Sequence, residues 1–308
     1  MRRCSAKARR RCEAPFRTPP IPHSAPCAAF LVSADHYENF PVASFLLPRE
    51  VRAAVLAVYR FARAADDIAD EGDATAAQRL SALDRFDAAL DAIALGNAPT
   101  EAPFADLGAA VRRHALPVPL LRDLLSAFRQ DVTTNRYPTW DSLLDYCRRS
   151  ANPIGRLLLR LHHREDEANA AMSDAICTAL QLVNFWQDIA LDWRKGRVYV
   201  PQEDLARFGV TEAQIAAGRC DDAWRALATF ETARTRRLLE SGRPLVRSLP
   251  WRFGLELSGV IAGGHRILDR IDRVGGDVFR RRPQLDHVDW ALVAWRAVVP
   301  ARPPAQAQ

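Results

Sequence analysis

Gln181-Leu182-Val183-Asn184-Phe185-Trp186-Gln187-Asp188-Ile189-Ala190-Leu191-Asp192 is the stretch whose reading decides the fold. Gln181, Asn184, Asp188 and Asp192 recur at intervals of three and four, the spacing that stacks side chains on one face of an α-helix. Leu182, Val183, Phe185, Trp186, Ile189, Ala190 and Leu191 fill the other directions, so this helix is expected to be buried nearly all round. A carboxylate on a buried face costs on the order of several kcal/mol unless something compensates it. Asp188 and Asp192 therefore need a polar cavity or a cation.

A second acidic row lies upstream, in Tyr59-Arg60-Phe61-Ala62-Arg63-Ala64-Ala65-Asp66-Asp67-Ile68-Ala69-Asp70. Helical spacing puts Tyr59, Arg63, Asp66 and Asp70 on one stripe. Alone, this cluster reads equally well as a solvated helix end. Two such rows in apolar helical segments point to a divalent metal between them, with an anionic ligand behind the metal. Magnesium is the natural candidate, because it takes oxygen ligands and shares one or two carboxylates with substrate phosphates. Arg63, Arg194, Lys195 and Arg197 are candidate phosphate contacts. Arg63 leads because it lies on the carboxylate stripe, whereas cations at 194–197 also suit a helix C-terminus. Phe40, Phe185 and Trp186 are core residues by default and could instead line a cavity beside the aspartates.

Outward from these rows, nearly every segment has helical rather than alternating periodicity. Helices are predicted at about 48–70, 75–95, 101–115, 119–132, 139–163, 167–193, 221–248, 253–274 and 285–297, with boundaries good to roughly 2–4 residues. Ala151-Asn152-Pro153-Ile154-Gly155 should kink the fifth of these. No stretch has strand character. The expectation is one all-α domain over residues 28–299, between a basic, proline-rich tail (1–27) and a low-complexity end (300–308), neither of which should carry fold.

The net charge of +6 resides in the first 17 residues, where Arg2, Arg3, Lys7, Arg9, Arg10, Arg11 and Arg17 face only Glu13. The body is then formally neutral, which argues against nucleic acid as a partner. The 6 cysteines have no C-x-x-C or Cys/His metal spacing, which suggests a reducing compartment. No apolar run reaches membrane-span length, so a cytoplasmic body with transient contact at the inner membrane is expected. No Ser-His-Asp set, glycine-rich phosphate loop or dinucleotide fingerprint is present.

The chain resembles the squalene and phytoene synthase family over about residues 30–295. The likeness is carried by Tyr59-x-x-x-Arg63-x-x-Asp66-Asp67-x-x-Asp70, by Tyr146-Cys147 leading into Ile154-Gly155, by Asn184-x-x-x-Asp188-x-x-x-Asp192, and by Gly196-Arg197-Val198-Tyr199-Val200-Pro201. Within the family, His36-Tyr37-Glu38-Asn39-Phe40-Pro41-Val42-Ala43-Ser44 and Asn184-Phe185-Trp186-Gln187-Asp188 are most similar to the hydroxysqualene synthases of bacterial hopanoid pathways. Condensing members usually carry serines near positions 37 and 39, an arginine at 187 and a bulky residue near 264, where this chain has Tyr37, Asn39, Gln187 and Gly264.

The resemblance implies an isoprenoid-synthase helical bundle with a central apolar cavity. It implies magnesium held by Asp66, Asp70, Asp188 and Asp192, supported by Asp67 and Asn184, and no NADPH. Arg63 and Arg197 would contact a prenyl diphosphate, His36, Asn39, Phe40 and Gln187 would border the substrate, and Tyr59 and Tyr146 would line the cavity near a quenching water. The implied reaction converts presqualene diphosphate and water to hydroxysqualene, coupled to other hopanoid-pathway enzymes. The rivals are a condensing synthase joining two prenyl diphosphates and a non-catalytic prenyl-lipid carrier.

Overall fold

The computed structural model is described for residues 49–280, 282–286 and 289. It runs through α1 (Arg49–Asp70), α2 (Ala76–Ala94), α3 (Phe104–His114), α4 (Val118–Thr133), α5 (Trp140–Ser150) and α6 (Asn152–Leu161). Then come α7 (Glu167–Arg194), α8 (Gln202–Phe208), α9 (Glu212–Ala216), α10 (Asp222–Gly242), α11 (Leu245–Ser248) and α12 (Trp251–Arg273). Among the described residues no strand forms; Arg136 and Val198 make one isolated parallel bridge. His36, Asn39, Phe40 and most of the helix anticipated at 285–297 lie outside these residues.

Local chemistry sets the helix ends. Thr75 opens α2 and Thr139 opens α5 with reciprocal side-chain caps, while Asp166 caps the N-terminus of α7. The expected kink at 151–155 is a full break: α5 ends at Ser150 and Pro153 sits in the first turn of α6, where its missing N–H costs nothing. The anticipated 221–248 helix is likewise divided, because Pro244 cannot continue α10. The short helices α8 and α9 were not anticipated; neither is long enough to show a periodic pattern.

The 28-residue α7 is the axis of the molecule, packing against α5, α6, α9, α10, α11 and α12. On one side, α1 to α4 and α6 bury Phe61, Leu83, Leu90, Leu107, Leu121 and Leu124. On the other, α5, α7, α10 and α12 bury Tyr146, Leu182, Trp186, Trp224 and Ile267. Among the described residues, two cavities along α7 bear on the site. A polar cleft lies at its C-terminal half, facing α1. An apolar cavity of about 640 Å³ lies at its middle, between α6, α11 and α12, and is lined by Ile154, Leu158, Ile176, Leu180, Leu257 and Val260 among others.

Candidate functional site

The polar cleft encloses roughly 370 Å³ and is lined by residues from α1, α4, α5, α7 and the segment after α7. α1 contributes Asp66 and Asp70, α4 Asp131, and α5 Tyr146. α7 contributes Gln181, Asn184, Phe185, Asp188 and Asp192, and the following segment adds Arg197 and Tyr199. The whole polar row of α7 and the two outer aspartates of α1 thus face one another.

The turn after α7 returns the cations to the site. Gly196 adopts φ +77°, a region that favours glycine, and the Arg197 N–H reaches back to the Asp192 carbonyl at 2.8 Å. The Val198 N–H then bonds to the Asn135 carbonyl at 3.0 Å, pinning the segment beside the end of α4. Lys195 Nζ and Arg197 Nη1 consequently each lie 3.0 Å from Asp70 Oδ2. Asp188 is held by the guanidinium of Arg282, which donates to both carboxylate oxygens.

Electrostatics separates the carboxylates. Burial alone would raise Asp70, but Arg197 and Lys195 outweigh it and hold the carboxyl below its ordinary value. Asp66 is pushed well above the carboxylate range by burial and then by Asp70, only partly opposed by Arg63. Asp192 is raised likewise by burial and by Asp188. Asp131 is pushed up to about 7, mainly by burial, against the pull of Arg197. One Asp131 oxygen accepts the Tyr146 hydroxyl at 2.9 Å, while Oδ1 is buried with no hydrogen-bond partner, as is Gln181 Oε1.

An aromatic wall borders the carboxylates. Phe185 and Tyr199 stack with ring centres 3.8 Å apart and planes within 6°, and Tyr137 stacks on the other side of Tyr199 at 5.6 Å. Tyr146 completes the group, 6.1 Å from Tyr199 and 6.2 Å from Phe185. Such faces attract a cation passing over them.

The residues present fit magnesium. Every candidate ligand is a hard oxygen donor, two buried oxygens lining the cleft lack hydrogen-bond partners among the described residues, and two carboxyls are destabilised by burial and then by like charge, both of which a cation would relieve. Among the described residues no group of three His, Cys, Asp or Glu side chains is gathered tightly enough to hold an ion unaided.

Five expected contacts lie elsewhere. Asp67 does not line the cleft, because residue 67 lies about 100° around the helix from 66; Arg63 does not line it either, but pairs with Asp67 at 2.8 Å and Glu71 at 3.0 Å and reaches the cleft's Asp66 at 3.7 Å. Tyr59 packs against the apolar core on the same helix. Gln187 is buried on the far side of α7 and donates to the Pro283 carbonyl, so it faces the C-terminal segment rather than the cleft. Trp186 also turns away from the aspartates, donating to Thr235 of α10 at 2.8 Å. Gly264 opens no space: a Cβ there would come within 2.9 Å of Leu180 Cδ2 and 3.1 Å of Leu239 Cδ2, so its smallness serves helix packing.

Sequence reasoning overlooked Asp131, Tyr199 and Arg282. Asp131 had a signal, since Leu121, Leu124 and Phe128 form a buried face of α4 that Asp131 continues three residues on. Tyr199 lay inside a quoted motif but had no assigned role. Arg282 follows Arg280 and Arg281 in a run that reads as solvated surface, and only tertiary structure returns it to α7.

The squalene/phytoene synthase family profile matches residues 33–289. A hydroxysqualene synthase from Sinorhizobium fredii is 35% identical over 257 residues, 83% of this chain and 86% of that protein. One from Zymomonas mobilis subsp. mobilis is 42% identical over 193 residues, which span 61% of this chain and 63% of that protein. A crystal structure of a squalene synthase from Alicyclobacillus acidocaldarius superposes with a TM-score of 0.71 at 38% identity, covering 75% of this chain and 87% of that one.

Proposed function

We propose, starting from the fact that the chain belongs to the squalene/phytoene synthase family, that it is a hydroxysqualene synthase acting on presqualene diphosphate and water. The observation that carries this reading is the convergence of both carboxylate rows on one narrow cleft walled by aromatic rings. Such a site suits ionisation of one diphosphate beside a cationic intermediate. Likeness to hydroxysqualene synthases at 35% and 42% identity supports the same choice.

Magnesium, held by Asp66, Asp70, Asp188 and Asp192 with Asn184, would neutralise charge developing on the departing diphosphate. The chain's own residues do the rest. Lys195, Arg197 and Arg282, which pair with Asp70 and Asp188 in the free protein, are placed to turn onto diphosphate oxygens. Phe185, Tyr199 and Tyr146 border the rearranging carbocation with apolar ring surface and exclude bulk water. One water oxygen bonds to the cation. Its proton passes to Asp131, whose value near 7 suits an acceptor and whose orientation Tyr146 fixes. No reductant enters this sequence, so no NADPH is required.

The test is incubation of purified protein with presqualene diphosphate and magnesium in ¹⁸O-labelled water, with mass spectrometry of the lipid product. Hydroxysqualene carrying one ¹⁸O is expected. The runner-up is a condensing synthase, a reading favoured by the likeness to the squalene synthase from Alicyclobacillus acidocaldarius. Formation of a C30 product from farnesyl diphosphate alone would replace the proposal with that one.

A further inference from the structure

Trp251 is the most exposed aromatic side chain among the described residues, at 72% accessibility, and it begins α12 directly after the corner made by α11. An indole left in water has few structural uses, and its surroundings suggest one. Arg247 and Arg252 flank it, both exposed and neither ion-paired within the described residues; Arg252 lies over the indole ring at 5.2 Å. From Ser241 to Leu255 the chain carries three arginines and no acid. Of these, Arg243 is paired with Glu240 at 2.9 Å.

This corner also forms one wall of the apolar cavity. Leu245 of α11 and Phe253, Leu257 and Val260 of α12 line that space, and the α12 side chains from Leu255 to Val260 are all only partly buried. The corner is held firmly. His162 stacks on Phe253 with ring centres 4.1 Å apart, and Ser248 donates to Asn169 at 2.6 Å. It therefore presents an exposed indole and two guanidinium groups without an ion-pair partner among the described residues, on the same two helices that wall the cavity.

We infer that the α11–α12 corner is a membrane-docking face, with Trp251 entering the lipid interface and Arg247 and Arg252 on anionic headgroups. Amphipathic rings settle at the headgroup level, and arginine combines an apolar stem with a charged head that reaches phosphate. Because the same two helices wall the apolar cavity, docking here would hold that cavity near the bilayer, where a lipid substrate and product would exchange. That last consequence rests on the proposed function; vesicle binding itself does not.

The experiment is co-sedimentation of the full chain with phosphatidylcholine vesicles and with vesicles of phosphatidylcholine and phosphatidylglycerol, without magnesium or substrate. The wild-type chain should sediment with the anionic vesicles. Trp251→Ala should weaken binding about tenfold, the effect of partly burying one large apolar side chain. Arg247→Gln with Arg252→Gln should lose about tenfold or more on anionic vesicles and little on neutral ones. The basic N-terminal tail is common to all three proteins, so the differences report on the corner alone. Detergent-dispersed turnover should be unchanged in every variant, because none of these residues lies in the cleft. Equal sedimentation of wild type and Trp251→Ala, or none by the wild type, would overturn the inference. Loss of the proposed reaction with these differences intact would overturn the function and leave the docking face standing.

Discussion

Asp66 and Asp192 show how a buried carboxylate behaves with another acid as its neighbour, and Asp70 how it behaves with cations at hand. The first two are driven toward holding a proton, and the third is held ionised by Lys195 and Arg197. Strain of this kind is tolerated where a ligand relieves it. A third case, Glu231 on α10, lies away from the cleft. It shares Arg234 with Asp204, and Arg234 in turn stacks over Trp140 at 3.4 Å. One cation between two buried acids leaves a surplus, and burial pushes Glu231 up to about 8. Its folded value exceeds its unfolded one, so the folded state binds the extra proton between roughly pH 4.5 and 8, and stability falls as pH rises through that window. Glu231→Gln removes this dependence. Thermal unfolding from pH 5 to pH 8 should show the wild-type midpoint falling several degrees further than the variant's. Parallel curves would mean that Arg234 already compensates both acids.

At the scale of elements, α7 was legible because its polar row and apolar remainder agree with a single period, and all four row members line the cleft as spaced. α1 was legible only in part. Asp66 and Asp70 share a line, whereas the step from 66 to 67 turns the middle aspartate toward Arg63 and solvent. Spacing alone gave Gln187 and Trp186 no direction, and both face packing partners on the side of α7 away from the cleft. The α6–α7 contact that frames the apolar cavity depends on Gly155. A Cβ there would collide with Ser173 Oγ and approach Cys177 Sγ to 2.6 Å. Gly155→Ala should destabilise the protein by about 1–3 kcal/mol through overpacking. Adding Ser173→Ala, which removes the nearer atom, should restore part of that loss in denaturant melts. No recovery would show that Cys177 or the backbone sets the limit.

For the whole molecule, the sequence conveyed the helical class, the two acidic rows and the family. It could not convey how the rows are completed. Asp131 comes from α4, Tyr199 from the segment after α7, and Arg282 from beyond α12, and only packing gathers them. The same packing sets the polar cleft beside a separate apolar cavity, and it leaves Trp251 outside.

On the proposed function, α1 and α7 together would supply one shared metal–diphosphate site. Calorimetric titration with inorganic diphosphate, with and without magnesium, tests it on the wild type, Asp70→Asn, Asp192→Asn and the double variant. The wild type should bind only with magnesium. Either substitution should weaken binding at least about tenfold, and the double variant should lose much less than the sum of the two free-energy changes, since the rows act as a unit. Magnesium-independent binding, or losses that add as if the two rows were separate sites, would contradict it.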